Sequence, residues 1–245
     1  MTAFWDKIRN LQDACRPVCT AIVPAAGTSS RMGGENKLLM DLCGVPVLVR
    51  TLQAIDQCEL VSEIVVATQA ELLEEVAQLC ASAGLRTKIK VVQGGSTRTE
   101  SVLAAAMEAS PKAKLLAVHD GARPLVLPEE FDQVIRFACS TYAAAPAVPV
   151  NDTVKTVDEN GLVTGTPDRS MLRAVQTPQV FRAELLKAAL QSAVSDNAVI
   201  TDDCSAVERL GKQVYLTEGN RENIKITTPI DIAIAEAILR KRGLS

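Results

Sequence analysis

The sequence predicts an α/β fold, an open and mostly parallel sheet covered by helices on both faces, in a single domain of 245 residues. Three observations carry this. Short runs rich in β-branched residues alternate with helical stretches, the rhythm of parallel strands joined by crossover helices. Apolar residues make up 47% of the chain and aromatic ones only 3%, so the core has to be built from Ala, Val, Leu and Ile in layers. No internal repeat or linker-like stretch interrupts the pattern.

Taken in order, residues 1–18 set Asp6, Lys7, Arg9 and Asp13 among Phe4, Trp5, Ile8 and Leu11. That is an amphipathic helical extension rather than a signal peptide, which needs an uninterrupted apolar stretch. Strands are predicted at residues 20–23, 63–68, 88–92, 115–119, 145–148, 176–181 and 214–217. Helices fall between them at about 45–55, 71–83, 97–109, 128–141, 182–195, 201–210 and 229–241. One segment breaks the alternation. Two β-rich runs, 153–157 and 162–166, flank Asp158-Glu159-Asn160-Gly161, and Asn-Gly between such runs signals a hairpin. An isolated hairpin is marginal in water. Residues 150–172 therefore read as a protruding β-arm that grips a second copy of the chain, with an ordinary edge hairpin as the other reading.

Charge and cysteines narrow the function. A net charge of −3 disfavours a nucleic-acid coat, and no run reaches membrane-spanning length. Seven cysteines without paired metal-ligand spacing, and a lone histidine, disfavour a zinc site. Unpaired thiols point to a reducing, cytoplasmic compartment.

Candidate chemistry gathers where the strands end, beyond whose carboxyl edges ligands collect in such sheets. The first strand runs into Pro24-Ala25-Ala26-Gly27, whose side chains are too small to block a ligand, and Arg31 and Lys37 follow. Backbone N–H groups in such a turn can face an anion. Neither the Walker pattern nor the G-x-G-x-x-G fingerprint occurs, which disfavours a dinucleotide-dependent dehydrogenase. The third strand ends in Gln93-Gly94-Gly95-Ser96-Thr97-Arg98, and the fourth in His119-Asp120-Gly121-Ala122-Arg123. Lys225 follows a short strand-like piece, Glu222-Asn223-Ile224. This set is rich in anion binders and poor in proton carriers. It suits nucleotidyl transfer to a phosphate, whose nucleophile is already an anion and whose catalysis is positioning and charge neutralisation. Asp120 fits a magnesium ligand with phosphates and water completing the shell; it also fits a turn carboxylate. His119 reads as a residue that orients its neighbour.

VPAAGTSSRM, QGGSTRTESV, VHDGARP, NDTVK, TPQVF, TDDCSAVE and ENIKITTP stand in register from about Thr20 to about Leu239. The chain thereby resembles the 2-C-methyl-D-erythritol 4-phosphate cytidylyltransferases of the non-mevalonate isoprenoid pathway. The resemblance implies a Rossmann-like, three-layer mixed sheet of the nucleotidyltransferase type, dimerising through the arm. It implies CTP and a sugar-alcohol phosphate as substrates, with Mg2+ or another divalent cation. By motif, Ala25, Ala26 and Gly27 would line the triphosphate and base. Arg31, Lys37 and Lys225 would hold the phosphates and stabilise the transition state. Gly94, Gly95, Ser96 and Ser101 would frame cytosine and ribose, and Asp120 would meet metal and substrate beside Arg123. Thr153 and Arg169 on the arm, and Thr201, would bind the acceptor. The chain departs from the family at Asn36-Lys37-Leu38, where proline and glutamine commonly flank the lysine, at Ser96, commonly aspartate, and at Glu222, also commonly aspartate. Two other readings stay open: a ribitol 5-phosphate cytidylyltransferase, which shares the CTP cradle, and a non-catalytic nucleotide-binding regulator. Pyrophosphate release with each acceptor separates them.

Overall fold

The computed structural model describes residues 18–26 and 36–244. The predicted N-terminal helix, Gly27 and Arg31 lie outside the described residues. The chain runs β1 (Cys19–Pro24), β2 (Asp41–Leu42), β3 (Val45–Pro46), α1 (Val47–Asp56), β4 (Val61–Thr68), α2 (Leu73–Ser82) and β5 (Lys88–Gln93). It continues with α3 (Arg98–Glu108), β6 (Leu115–Val118), α4 (Pro128–Thr141), β7 (Ala143–Pro149), β8 (Thr156–Val157) and β9 (Val163–Gly165). The last elements are β10 (Arg173–Val175), β11 (Gln179–Arg182), α5 (Ala183–Ser195), α6 (Asp203–Arg209), β12 (Tyr215–Glu218) and α7 (Pro229–Lys241).

The main sheet has the order β10-β7-β11-β6-β1-β4-β5, with β12 also paired to β7. β4, β5 and β6 extend the sheet from β1 in parallel, whereas β11 enters antiparallel between β6 and β7. The sheet is thus mixed and mostly parallel, as the alternation predicts. Along β1 the burial alternates between two cores. Ala21 and Val23 pack with Leu48 and Leu52 of α1 and Phe131 of α4, while Ile22 packs with Val102 of α3 and Leu190 of α5. Helices therefore cover both faces, giving three layers. β5, at one edge, carries Lys88 and Lys90, charges of the kind that discourage edge pairing.

Three local expectations are corrected. The predicted strand at 176–181 starts only at Gln179, in β11: β10 ends before it with Val175 opposite Ala147, β11 sets Val180 opposite Ala144, and Gln176, Thr177 and Pro178 connect the two. Pro178 has no N–H to donate, and the side chains of Gln176 and Thr177 are committed to the loops described below. The small β2–β3 hairpin is unpredicted, because Cys43 and Gly44 both take left-handed backbone (φ 53° and 78°) where such turns usually show Asn-Gly. Residues 222–225 are irregular rather than strand-like. The segment with the Asn-Gly turn forms the separate two-stranded sheet β8–β9, which pairs with no main-sheet strand among the described residues.

Candidate active site

A cavity of about 470 Å3 opens at the carboxyl ends of β1, β4, β5 and β6. Ala26, Lys37, Gly95, Ser96, Ser101, Asp120 and Lys225 all line it. Residues from both ends of the sequence are brought together there because every parallel strand of the sheet releases its following loop on this side.

One wall is built of backbone. Ala25 N–H donates to the Ala67 carbonyl at 2.7 Å and the Gln69 side-chain amide donates to the Ala26 carbonyl at 2.8 Å, which fixes the turn after β1 against β4. Ser101, buried in the first turns of α3, accepts from Gly95 N–H at 3.1 Å and donates to the Thr97 carbonyl at 2.9 Å. A Cβ on Gly94 would come 2.7 Å from Ser101 Oγ and 3.3 Å from Ala26 Cβ, and one on Gly95 would collide with Glu100. Both positions require glycine by close approach. Thr97 and Glu100 form a capping box that starts α3, so the two glycines are held between a strand end and a capped helix.

The opposite wall is charged. Asp120, 7% exposed, has Lys225 Nζ 3.0 Å and Arg123 Nε 3.3 Å from Oδ2, and an Arg98 guanidinium nitrogen 3.7 Å from Oδ1. Burial opposes ionisation of this carboxyl. The cations of Lys225, Arg98 and Arg123 outweigh burial and hold it well below the usual carboxylate range. Arg98 also lies 2.7 Å from Asp203, a fully buried carboxylate at the start of α6. Burial pushes the Asp203 carboxyl up, and Arg98 offsets part of that cost. The same two carboxylates hold the Arg98 guanidinium above its ordinary range against its own burial.

Behind Asp120 runs a hydrogen-bonded chain. Asp120 N–H donates to Thr177 Oγ1 at 3.1 Å, and Thr177 Oγ1 lies 3.1 Å from His119 Nδ1. His119 Nε2 is 3.1 Å from the Arg123 carbonyl. A carbonyl can only accept, so Nε2 carries the proton. Complete burial lowers the His119 pKa to about 4 and keeps the ring neutral, which leaves Nδ1 to accept from the Thr177 hydroxyl. The histidine orients its neighbour, as its position implies. Asn223 ties in the last segment: its side-chain amide donates to the Thr177 carbonyl at 2.9 Å, and its carbonyl accepts from Arg123 at 2.7 Å. Ile226 N–H donates to the Ala122 carbonyl at 2.8 Å, which presents Lys225 beside Asp120.

Several residues predicted for the site stand elsewhere. Arg123 is off the cavity wall, its guanidinium spent on Asp120 and the Asn223 carbonyl. Thr153 is exposed on the β8–β9 segment, and Arg169, also exposed, donates to the Asn151 carbonyl at 2.8 Å; neither lines this chain's own cavity. Thr201 is exposed, just ahead of the Asp202 cap of α6, and lines no part of the cavity. Glu222 faces away, paired with Lys241 at 2.7 Å and Arg242 at 2.9 Å. Sequence reasoning missed Arg98 as a site residue. The signal was present: a cation in the first turn of a helix opposes the helix dipole and needs carboxylate partners from elsewhere. Among the described residues no group of three or more His, Cys, Asp and Glu could hold a metal ion. Asp120, whose Oδ1 has only the more distant cation, fits the single-carboxylate share of a hard cation that arrives on a polyphosphate.

The family model of the 2-C-methyl-D-erythritol 4-phosphate cytidylyltransferases matches residues 19–241. The chain is 44% identical over 226 residues to the Symbiobacterium thermophilum protein of that name, covering 91% of this chain and 94% of the relative. It is 42% identical over 224 residues to the one from Caldanaerobacter subterraneus, covering 91% and 99%. Among solved structures, 4-diphosphocytidyl-2C-methyl-D-erythritol synthase from Anaerococcus prevotii superposes with a TM-score of 0.81 at 28% identity, covering 92% of this chain and all of that one. The Thermus thermophilus cytidylyltransferase gives 0.74 at 31%, covering 91% and 99%. With the match running from the first strand to the last helix, the chain belongs to the 2-C-methyl-D-erythritol 4-phosphate cytidylyltransferase family.

Proposed function

We propose that this enzyme transfers CMP from CTP to 2-C-methyl-D-erythritol 4-phosphate, releasing pyrophosphate and forming CDP-methylerythritol for isoprenoid precursor synthesis. The observation that carries the reading is the cavity itself: a backbone wall shaped by two glycines, with Lys37, Arg98 and Lys225 also among the lining. That combination receives a base on one side and a triphosphate on the other.

The acceptor phosphate oxygen attacks the α-phosphorus in line with the leaving pyrophosphate. Both reactants are anions, so Arg31, Lys37 and Lys225 first offset their repulsion and then stabilise the charge that builds on the five-coordinate phosphorus. Asp120 positions the Lys225 ammonium at 3.0 Å. A divalent cation such as Mg2+, when bound, would neutralise phosphate charge, with Asp120 as its protein ligand. Ala25, Ala26, Gly27, Gly94, Gly95, Ser96 and Ser101 frame the nucleoside. The buried, neutral His119 takes no part in proton transfer.

The enzyme works as a homodimer in the cytoplasm, where its thiols stay reduced. The β8–β9 arm of one subunit carries Thr153 and Arg169 to the acceptor in the other, and Thr201 approaches from the subunit's own side. The exposure of Val157, Leu162 and Val163 on this arm supports a partner surface.

Pyrophosphate release from CTP tests the reading. Turnover with methylerythritol phosphate and little with ribitol 5-phosphate is expected. Preference for ribitol 5-phosphate would reassign the acceptor, and CTP binding without turnover on either would make the protein a nucleotide-binding regulator.

A further inference from the structure

The opposite end of the sheet holds a second cavity, of about 820 Å3, where β7 and β12 begin and β11 ends. β7 and β12 run parallel to each other and antiparallel to β11, as does β6, whose carboxyl end opens on the active site. The two cavities are therefore separated by the length of the strands.

Its composition is unlike the rest of the molecule. The chain has two tyrosines, Tyr142 and Tyr215, and both line this cavity together with Phe137 and Leu185. Phe137 and Tyr215 meet edge to face, ring centroids 6.5 Å apart. Two cations, Arg182 and Lys212, line it too, with Ser140, Thr141, Gly211 and Gln213, and none of its lining residues is acidic although the protein is net negative. The Arg182 guanidinium lies over the Tyr142 ring, 4.2 Å from its centroid. Tyr142 itself takes left-handed backbone (φ 68°) at the end of α4. Glycine usually fills that position, and a bulky residue held there is an outlier of the kind that collects at ligand sites.

We propose that this cavity is a second binding site, for a small amphipathic anion: an apolar, preferably aromatic body ending in a phosphate, sulfonate or carboxylate. The body packs against Phe137, Leu185 and the two tyrosine rings, and the head group meets Arg182 and Lys212. Volume and a mainly apolar lining with few convergent polar groups match small-molecule sites.

Calorimetric titration of 1-naphthyl phosphate into the full-length enzyme, with and without saturating CTP, tests this. One saturable site per chain that persists under CTP is expected. The Arg182→Gln/Lys212→Gln double variant should bind roughly tenfold more weakly or worse, since each lost partner is a charge-assisted contact. It should keep wild-type turnover, because neither residue touches the active site. 1-Naphthol, the same body without the anion, should bind as poorly as the double variant does. Absence of saturable binding, displacement by CTP, or unchanged affinity in the double variant would overturn the proposal. So would binding that fades as protein concentration rises, which would seat a second copy of the chain there. Should the double variant lose its fold, Lys212→Gln alone, a change to an exposed side chain, carries the same test.

Discussion

Lys225 Nζ stands 3.0 Å from Asp120 Oδ2, a pairing between the loop after the fourth parallel strand and the irregular segment that precedes the last helix. The pair ties the proposed catalytic cation to a carboxylate that is itself buried. Lys225→Ala should therefore lower kcat/KM by roughly 10²-fold or more, the usual cost of one electrostatic donor. Lys225→Arg should recover part of it. Steady-state pyrophosphate release measures both, and a fully active alanine variant would remove Lys225 from the catalytic set.

Arg98 answers two carboxylates at once. Arg98→Met leaves Asp203 buried without its partner, so the variant should lose about 3 kcal/mol of stability in urea unfolding. Adding Asp203→Asn should return a good part of that loss, because the uncompensated charge is then gone. A double variant no more stable than Arg98→Met alone would show that the pair is not coupled.

His119 sets an acid limit. Its folded pKa, about 4, lies below the unfolded value near 6.5, so between these the unfolded chain binds the extra proton. Stability then rises with pH through this window and falls on acidification, by about 2–3 kcal/mol between pH 6.5 and 4.5 from this residue. The depressed Asp120 carboxyl adds a further loss once pH drops below the ordinary carboxylate range. Urea titrations across pH should show the first component in the wild type and not in His119→Asn.

Subunit mixing tests the arm. Lys37→Ala and Arg169→Ala should each be nearly inactive at low acceptor concentration. Refolded together in equal amounts they should regain about a quarter of wild-type activity, since half the dimers carry one intact site built from both chains. No recovery on mixing would mean that Arg169 serves its own subunit or none.

Much of this could be read beforehand. Strand–helix alternation and buried β-branched runs gave the sheet, because period and composition are local properties. Lys37, Asp120 and Lys225 stand out at strand ends as groups that suit phosphates, Gly94 and Gly95 as a close approach for a base, and Ser101 by the resemblance alone; all but Gly94 line the cavity. Gly94 stands directly behind it, against Ser101. What stayed hidden depends on contacts between distant segments. The place of Arg98 in the first turn of α3 calls for carboxylate partners, but that these are Asp203 and Asp120 shows only once the fold brings them beside it. Arg123 resembled a substrate cation, yet the Asn223 carbonyl claims its guanidinium. The break in the strand at Gln176 and Thr177 follows from their bonds to Asn220 and Asp120, which no local pattern encodes.

The route of the backbone after β12 has a bearing on biosynthesis. Lys225 reaches the cavity only once the segment preceding α7 is anchored to Ala122, so a polypeptide folded only through β12 holds a finished sheet whose cavity lacks one of its cations. Such an unfinished product would hold a triphosphate more weakly than the complete fold does.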